Sequence, residues 1–393
     1  MVSSDYYIAD NSNMDEKRRE AAANHYSKGN YSAALKLYLD MLNTSMSYKL
    51  YYEIGRCYYK LNDFLPSEEY FKKSVALESL KNPSYLYLGN IYFKREDLTN
   101  AIENWIKAYA YKPDDEAVCL NLATSYFTKG MKFQSVFYYE KYLKYAKNKG
   151  TSYLSIKNSI DKTKETSKEF LQKARNAISG KNSKATVEYL TFAEQNYPAN
   201  FDVNYLLGKT YLQEGMSKNA LKYLLQAFCI DNKSLDVLQN IASAYININD
   251  YASAYCTMRR LLPLILHNQS AYLKTIQSIK ALGDNFDDIS YQTHREIAED
   301  LYNKNNYHLA LYEYENCAIL KEEVDDEVRN KIERLKTFIY PEARVIRICM
   351  EKGGHYYSNE DFRNSNKYFS RVMLLANEAS SEYKLAKSRI VNV

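Results

Sequence analysis

Histidine and cysteine are the residue types that most often bind metals or act as nucleophiles, and their spacing decides whether they can do so together. None of the five histidines lies at metal-ligand spacing from another or close to a cysteine, and the six cysteines include no C-x-x-C pair. Gly208-Lys209-Thr210 matches only the end of a phosphate-binding loop, because Val203 stands where that loop requires its leading glycine. These patterns predict that the chain is not an enzyme and uses no cofactor or metal.

The composition predicts a folded, multi-part protein. With 393 residues, of which 46% are hydrophobic and 26% charged, the chain exceeds what one compact core usually holds. Two domains or a repeat array are therefore expected. The six widely separated cysteines are expected to be buried free thiols. No apolar run approaches the roughly 20 residues of a membrane span, and the start shows no signal-peptide pattern. We therefore expect a cytoplasmic protein; a periplasmic one is the alternative if a signal has been removed.

Small residues recur with a period of 33 or 34 positions, and this repeat determines the predicted fold. A second small residue follows each of them by twelve positions and a large side chain by sixteen, as in Gly89, Ala101 and Trp105. Two looser copies begin at Ala298 and Gly353. The regular series consists of Ala22, Gly55, Gly89 and Ala123, and then Ala174, Gly208 and Ala242.

Each copy has the pattern of two amphipathic helices. Apolar residues fall three, four and seven positions apart within it, and a polar turn such as Lys28-Gly29-Asn30 separates the halves. Because one helix pair cannot bury its own apolar face, neighbouring pairs must stack. The predicted fold is all-α, an α-α superhelix of about nine to ten helix-turn-helix repeats. With this pattern the chain resembles the tetratricopeptide repeat family from about Asp15 to Ala379, and most clearly from Leu88 to Pro113.

Three intervals between repeats are longer than the regular period by about one helix. The extra stretches span residues 147–165, 269–283 and 323–340, and we expect additional helices at these joints. A lone helix after a run of repeats commonly covers the exposed apolar end. We therefore predict an N-terminal array of four repeats over residues 1–150 and a C-terminal array over residues 151–393 that ends in a closing helix. One continuous superhelix with irregular joints is the alternative.

The family resemblance implies that the first helices of successive repeats line a concave surface that binds extended peptides or partner helices. Within each helix, the residues carried over to this surface are three, four or seven apart and share a face. The aromatic members of this set also suit packing between repeats. Arg56 and Asn90 can donate to a peptide backbone or a carboxylate and have no evident packing role. The candidate residues are Arg19, Tyr26, Tyr52, Arg56, Tyr59, Asn90, Phe93, Thr124 and Phe127.

Some family members bind the C-terminus of a chaperone through lysines and asparagines at fixed repeat positions. This sequence has Arg19 with Ala23, then Arg56, then Leu86 with Asn90. It departs from the clamp pattern at most positions, so a chaperone C-terminus is disfavoured as the ligand. A second, more polar groove is predicted in the C-terminal half, from Arg175, Tyr205, Lys209 and Gln239.

Charge is distributed unevenly along the chain. Residues 141–184 contain 12 Lys or Arg against three acids, whereas residues 313–327 contain seven acids against one lysine. A lysine-rich helix face is usually solvated. Docking of an acidic partner and contact with the chain's own acidic stretch are the alternatives. The basic residues do not follow one face through all repeats, which disfavours nucleic-acid binding.

The predicted function is therefore a scaffold or adaptor that binds a protein or peptide, and the partner's identity is not encoded in any recognisable motif. A peptide-sensing regulatory protein and a nucleic-acid-associated repeat protein are the alternatives. The two unlike grooves suggest either two partners or one partner bound in two registers.

Overall fold

The helices follow one another with short connections in a computed structural model that describes residues 4–78, 82–282, 288–321 and 324–391. Within these ranges the chain has no β-strand, so the predicted all-α class is confirmed. Besides a short 3-10 helix at Leu262–Leu264, the helices are α1 (Ser4–Ser27), α2 (Tyr31–Met41), α3 (Tyr48–Lys60), α4 (Phe64–Leu77), α5 (Ser84–Lys94), α6 (Leu98–Tyr111), α7 (Glu116–Thr128), α8 (Lys132–Tyr145), α9 (Thr151–Ser179), α10 (Ser183–Asn196), α11 (Phe201–Gln213), α12 (Ser217–Ile230), α13 (Leu235–Asn247), α14 (Tyr251–Leu261), α15 (Gln269–Leu282), α16 (Asp288–Asn303), α17 (Tyr307–Leu320), α18 (Asp326–Ile339), α19 (Pro341–Ser358), α20 (Phe362–Leu375) and α21 (Ser381–Ser388).

The described helices include nine repeat pairs, which agrees with the predicted number of repeats. The pairs are α1/α2, α3/α4, α5/α6, α7/α8, α9/α10, α11/α12, α13/α14, α16/α17 and α19/α20. Two of the expected joint helices are α15 and α18, and α21 is the expected closing helix. The stretch 147–165 instead lengthens the first helix of the next repeat, because α9 continues unbroken for 29 residues. Residues 283, 323, 392 and 393 of the predicted segments lie outside the described ranges.

The recurring small residue is the point where the two helices of a repeat approach most closely. A Cβ atom on Gly55 would lie 2.8 Å from the Phe71 ring, and one on Gly89 would lie 2.5 Å from the Trp105 ring. The second small residue adds a hydrogen bond, because the Ser67 hydroxyl donates to the Gly55 carbonyl at 2.9 Å. The same bond joins the equivalent residues of two other repeats. The three sequence series are therefore the contact points of one helix–helix interface.

Each repeat reverses the chain through one residue with a positive φ angle. This residue lies seven positions after the first small residue, and its φ angle falls between 53° and 80° in all nine repeats. Glycine and asparagine adopt this conformation at low cost, whereas other residues do so with strain. Three repeats nevertheless use a charged residue. The nine positions are Gly29, Asn62, Glu96, Gly130, Lys181, Gly215, Asn249, Asn305 and Glu360.

The chain divides into two compact units, Met1–Val118 and Cys119–Val393. We call them unit 1 and unit 2 and describe each by itself. Unit 1 has a core of large buried side chains that include Met41, Ile54, Phe71 and Trp105. The division at residues 150 and 151 that the repeat spacing indicates stays a prediction.

In unit 2 the helix α17 is enclosed on all sides. Five consecutive residues, 310–314, are buried, which no single apolar stripe explains. The helix packs against α12, α14, α16 and α18. Helices α7 and α8 also reach its start, where the Tyr126 hydroxyl donates to the Asn305 carbonyl at 3.1 Å and the Gln134 amide donates to the Asn306 side chain at 3.2 Å. The later helices of unit 2 therefore return to its first repeat.

Candidate peptide-binding face

Helices α1, α3 and α5 carry the predicted binding residues of unit 1 on adjoining faces. We call Tyr26, Tyr52, Arg56, Tyr59, Asn90 and Phe93 the unit 1 face. Two of its members meet through a residue that the sequence reasoning missed, Tyr87. The Tyr87 ring centroid lies 5.9 Å from that of Tyr52 and 5.1 Å from that of Tyr59. Because Tyr87 lies three positions before Asn90, the spacing rule that selected the other residues could also have found it.

Arg56 is the charged centre of this face. Its guanidinium carbon lies 4.2 Å from the centroid of the Tyr26 ring and 5.4 Å from that of Tyr52. Its Nη1 atom pairs with the Glu53 carboxylate at 2.8 Å. Cation–π contacts of this kind and the ion pair hold the half-buried guanidinium in place. Arg56 therefore has a structural role in addition to any role with a ligand.

Two polar atoms beside this centre are left without partners. The Nε atom of Arg56 and the hydroxyl of Tyr26 are buried and have no partner at hydrogen-bonding geometry within the described chain, although the Arg56 guanidinium acts electrostatically on the hydroxyl. Leaving a buried polar atom unpaired costs about 1–3 kcal/mol. Burial raises the pKa of Tyr26 to about 12, so its hydroxyl keeps its proton at neutral pH. The face thus offers one fixed N–H donor and one hydroxyl that can donate or accept.

The expectation that Asn90 has no packing role is wrong. Its Oδ1 atom accepts a hydrogen bond from the indole Nε1 of Trp105 at 3.0 Å. Burial raises the pKa of Tyr59, and the neighbouring Asn90 side chain opposes that shift. A buried indole N–H needs an acceptor, so Asn90 positions Trp105. Its proposed contact with a ligand stays a prediction.

The remaining candidates of the first four repeats lie at the edges of unit 1 or in unit 2. Arg19 is exposed on α1. Phe93 packs against Trp105, with 5.6 Å between ring centroids, and remains 47% exposed. Thr124 and Phe127 belong to the part of α7 in unit 2, where the Thr124 hydroxyl donates to the Leu120 carbonyl at 3.0 Å. Phe127 is 67% exposed.

The second predicted groove lies on α9, α11 and α13, the first helices of three consecutive repeats in unit 2. Arg175 forms an exposed ion pair with Asp202 at 2.7 Å. The Lys209 ammonium lies 5.8 Å from the centroid of the Tyr205 ring, and Gln239 is exposed on α13. These side chains share the first-helix position of their repeats, as predicted. Of the two basic side chains in this groove, Arg175 is already paired within the chain.

Several lysines of the basic segment 141–184 are also paired within unit 2. Lys141 pairs with Glu342, and the Lys144 ammonium donates to the Leu375 carbonyl at 3.5 Å. Glu342 lies outside the acidic stretch 313–327, of which residues 322 and 323 are not described. Lys164 pairs with Glu140 on the preceding helix. The segment therefore has internal contacts, but they involve acids other than the stretch considered from the sequence.

A serine–histidine–carboxylate chain occurs inside unit 2. The Ser253 hydroxyl lies 3.4 Å from Nε2 of His294, and Nδ1 of His294 lies 2.6 Å from the Glu313 carboxylate. Nucleophilic hydrolases use such an arrangement. Here the three residues are only 2%, 6% and 8% exposed, and the Ser253 hydroxyl also donates to Asp250 at 2.7 Å. Because a substrate has no access to them in this state, we interpret these contacts as cross-links between α14, α16 and α17.

No group of three or more His, Cys, Asp or Glu side chains in the described ranges has a geometry that could hold a metal ion. No helix in the described part of the chain combines the length and the apolar character that a membrane crossing requires. The six cysteines are free thiols, and five of them are buried.

Nine helix pairs with one recurring close contact and one left-handed turn residue each define an α-helical repeat protein. Models of known families identify the repeat more narrowly. One described as a TPR repeat matches residues 89–130, and another described as a tetratricopeptide repeat matches residues 48–79 and 201–234. The chain therefore contains tetratricopeptide repeats at residues 48–79, 89–130 and 201–234. No curated protein matches the sequence significantly.

Solved structures of repeat proteins match the chain at low sequence identity and low TM-score. The P58(IPK) TPR domain is 15% identical, with 95% of this chain and 97% of that chain covered and a TM-score of 0.27. The complex of the TPR2AB domain of yeast Sti1 with pHSP90 is 14% identical, with coverages of 69% and 97% and a TM-score of 0.28. The Arabidopsis OM64 TPR domain is 21% identical, with coverages of 32% and 99% and a TM-score of 0.28. Superposition at these scores carries no information about the function of this chain.

Proposed function

We propose that this protein is a non-catalytic interaction scaffold that holds an extended segment of a protein partner against the unit 1 face. A tetratricopeptide repeat protein is in general a protein-interaction scaffold, and the proposal assigns the contact to particular residues. The observation that carries it is the pair of unpartnered polar atoms, Arg56 Nε and the Tyr26 hydroxyl, within the described part of a tyrosine-lined face. A partner that supplies hydrogen bonds to both atoms would remove their desolvation cost.

The charge of the site favours a particular kind of contact. Glu53 pairs with Arg56, so the two side chains together carry no net charge when both are ionised. Burial raises the pKa of Glu53, and the positive charge of Arg56 opposes that shift. A site without net charge attracts a free carboxylate weakly. We therefore propose that the donor from Arg56 goes to a backbone carbonyl inside a peptide and that tyrosine rings cover its apolar side chains.

Tyr26→Phe is the most selective test of this proposal. The substitution removes only the unpartnered hydroxyl and keeps the ring that packs against Arg56. Stability of the protein without partner should stay the same or rise slightly, because no hydrogen bond is lost. Partner affinity should fall about 3- to 10-fold, the range expected for one hydrogen bond.

The measurement compares partners captured from a native lysate by wild type, Tyr26→Phe and Arg56→Gln. Arg95→Gln serves as the matched control, because Arg95 is an ion-paired arginine of unit 1 that contacts Glu68 at 2.5 Å, outside the unit 1 face. The two face variants should lose the same partner while the control keeps it. Equal recovery of that partner by all four proteins would refute the assignment, and recovery of nucleic acid in place of a protein would favour the alternative class.

Two further parts of the proposal concern unit 2 and the place of action. The exposed side chains of the second groove provide a separate surface for another partner or a second segment of the same one. The basic segment 141–184 is proposed to attract an acidic partner; exposed charges of this kind are screened beyond about 10 Å at 0.1 M salt. Binding that involves this segment should therefore weaken as salt is raised to about 0.2 M. The cytoplasm is the proposed location.

A further inference from the structure

Unit 2 contains a cavity of about 300 Å³ between α8, α10, α12 and α17. Its size is at the lower end of the range for small-molecule sites, which is about 300–1,000 Å³. It is separate from both predicted grooves, since its lining comes mainly from second helices of the repeats. The cavity exists because α17 returns to the first repeat of unit 2. No feature of a single repeat could have predicted it.

Two residues that line the cavity provide hydrogen-bond acceptors. Glu194 is half-buried and forms no hydrogen bond or ion pair with another residue in the described ranges. Gln226, one helix away, has a buried Oε1 atom that likewise lacks a partner among the residues described. Its terminal torsion is soft, so a small rotation turns this oxygen toward the cavity. Both groups are suited to a ligand that donates hydrogen bonds, such as an ammonium group.

The same cavity also carries positive charge. Lys132 and Lys222 line it, and neither is in a salt bridge with an acid of the described chain. The charges of both lysines act on Glu194, so the three groups lie within one another's field. Lys222 and Gln226 are four positions apart on α12 and therefore share a face.

Two helix N-termini add partial positive charge to the cavity. The first residues of α8 and α17 line the cavity, and neither helix has a side-chain cap. Uncapped helix N-termini present unpaired N–H groups and a positive partial charge. The helix ends and the two lysines together form a site for a carboxylate.

The remaining wall is apolar or uncharged. Phe133 and Leu309 contribute apolar surface. Burial lowers the pKa of His308 to about 4, with a further decrease from Lys141, so its imidazole is neutral at pH 7. Burial raises the pKa of the Cys229 thiol to about 12, which leaves it protonated and unreactive. The wall is therefore suited to an aliphatic side chain.

We infer that this cavity binds a free α-amino acid with an aliphatic side chain. Its ammonium group is held by Glu194 and Gln226, and its carboxylate lies toward Lys132, Lys222 and the two helix ends. The aliphatic side chain packs on Phe133 and Leu309. The ligand carries no net charge, which matches a site with unpaired groups of both signs. This binding goes beyond the scaffold function and does not depend on the unit 1 face.

Isothermal titration calorimetry with L-leucine on the full chain tests the inference. L-Leucinamide lacks the carboxylate and N-acetyl-L-leucine lacks the ammonium group, so each should bind at least about tenfold more weakly than L-leucine, as expected for one charged hydrogen-bonding contact. Inorganic phosphate serves as a probe for a simple anion site. The inference is overturned if L-leucine, L-methionine and L-valine give no binding heat, or if either blocked analogue or phosphate binds as tightly as L-leucine.

Variants connect the binding to particular residues. Glu194→Gln and Lys222→Met should each weaken L-leucine binding about tenfold or more. Glu188→Gln and Lys218→Met are matched controls on the same two helices, exposed and outside the cavity, and should bind like wild type. Glu194→Gln removes an unpaired half-buried charge, so no loss of stability is expected. Wild-type affinity in both cavity variants would also overturn the inference.

Discussion

The adjacent residues Gly353 and Gly354 of α19 allow the close contact within a repeat to be measured against an internal control. A Cβ atom on Gly353 would lie 2.8 Å from Cε1 of Phe369, whose side chain is fully buried. On Gly354 the nearest atom would be Nη1 of Arg389, the end of a flexible side chain, at 3.5 Å. Optimal carbon contacts are about 3.5–4.0 Å. The first substitution therefore forces a clash and the second does not.

The clash at position 353 sets the expected difference in stability between the two alanine variants. Both substitutions to alanine gain helix propensity of about 1 kcal/mol, and this gain cancels when the two variants are compared. Overpacking a filled core costs about 1–3 kcal/mol. Gly353→Ala should thus be less stable than Gly354→Ala by about 1–3 kcal/mol, and Gly354→Ala should be up to about 1 kcal/mol more stable than wild type.

Amide hydrogen exchange over α19 and α20, read by mass spectrometry, measures the local free energy of opening and avoids the assumption of two-state unfolding for a repeat array. The double variant Gly353→Ala with Phe369→Leu should recover part of the stability that Gly353→Ala loses, because it reproduces the combination of Ala174 and Leu190 found in another repeat. Equal exchange protection in the two single variants would refute the small-to-large contact as the basis of the repeat.

Three further predictions concern the turns, the single tryptophan and the half-buried histidine His308. Gly215 has a φ angle of 74° and no atom within 4 Å of an added Cβ, so Gly215→Ala should lower the free energy of unfolding by about 1–2 kcal/mol through backbone strain alone. Glu96 has a φ angle of 62°, so Glu96→Gly should raise the free energy of unfolding by about 0.5–1 kcal/mol. Urea titrations measure both changes. Asn90→Leu removes one acceptor of the Trp105 indole, so the emission of this only tryptophan should shift and stability should fall by about 1 kcal/mol; unchanged emission would contradict the assigned hydrogen bond. Burial lowers the pKa of His308 to about 4. Between about pH 6.5 and pH 4 the unfolded chain therefore binds a proton at this histidine that the folded chain does not. The free energy of unfolding falls as the pH falls through this window. His308→Gln should reduce the loss between pH 7 and pH 5 by on the order of 2 kcal/mol, and an identical pH profile would exclude this cause.

The repeat register could be predicted from the sequence because its cause is local. Gly89 and Trp105 are only sixteen positions apart, and the same close contact recurs at Gly55, Gly208 and Gly353. Turn glycines such as Gly29 and Gly215 were recognisable for the same reason. Glu96 was not recognisable as a left-handed residue, since its conformation is imposed by the two helices that it joins.

The features that could not be predicted involve residues far apart in the sequence. Tyr126 and Asn305 meet across 179 positions, and the enclosure of α17 depends on that return of the chain. The sequence of α17 has apolar residues on every face, which indicates a helix that is buried all round. Glu313 lies among these residues and therefore indicates a polar contact inside the protein. The role of Asn90 was misjudged because the indole of Trp105 approaches it from the second helix of the repeat. Sequence spacing assigns a residue to a face but does not reveal what covers it.

Photo-crosslinking from the unit 1 face tests the central claim most directly. A photoreactive phenylalanine analogue replaces Phe93, which is 47% exposed on α5, or Leu65, a control on α4 that is 75% exposed. The proposed scaffold function predicts that position 93 crosslinks to one contiguous peptide of a single partner, that Tyr26→Phe weakens this adduct, and that position 65 gives none. Equal crosslinking of the same partner from both positions, or no protein adduct at position 93, would contradict the claim.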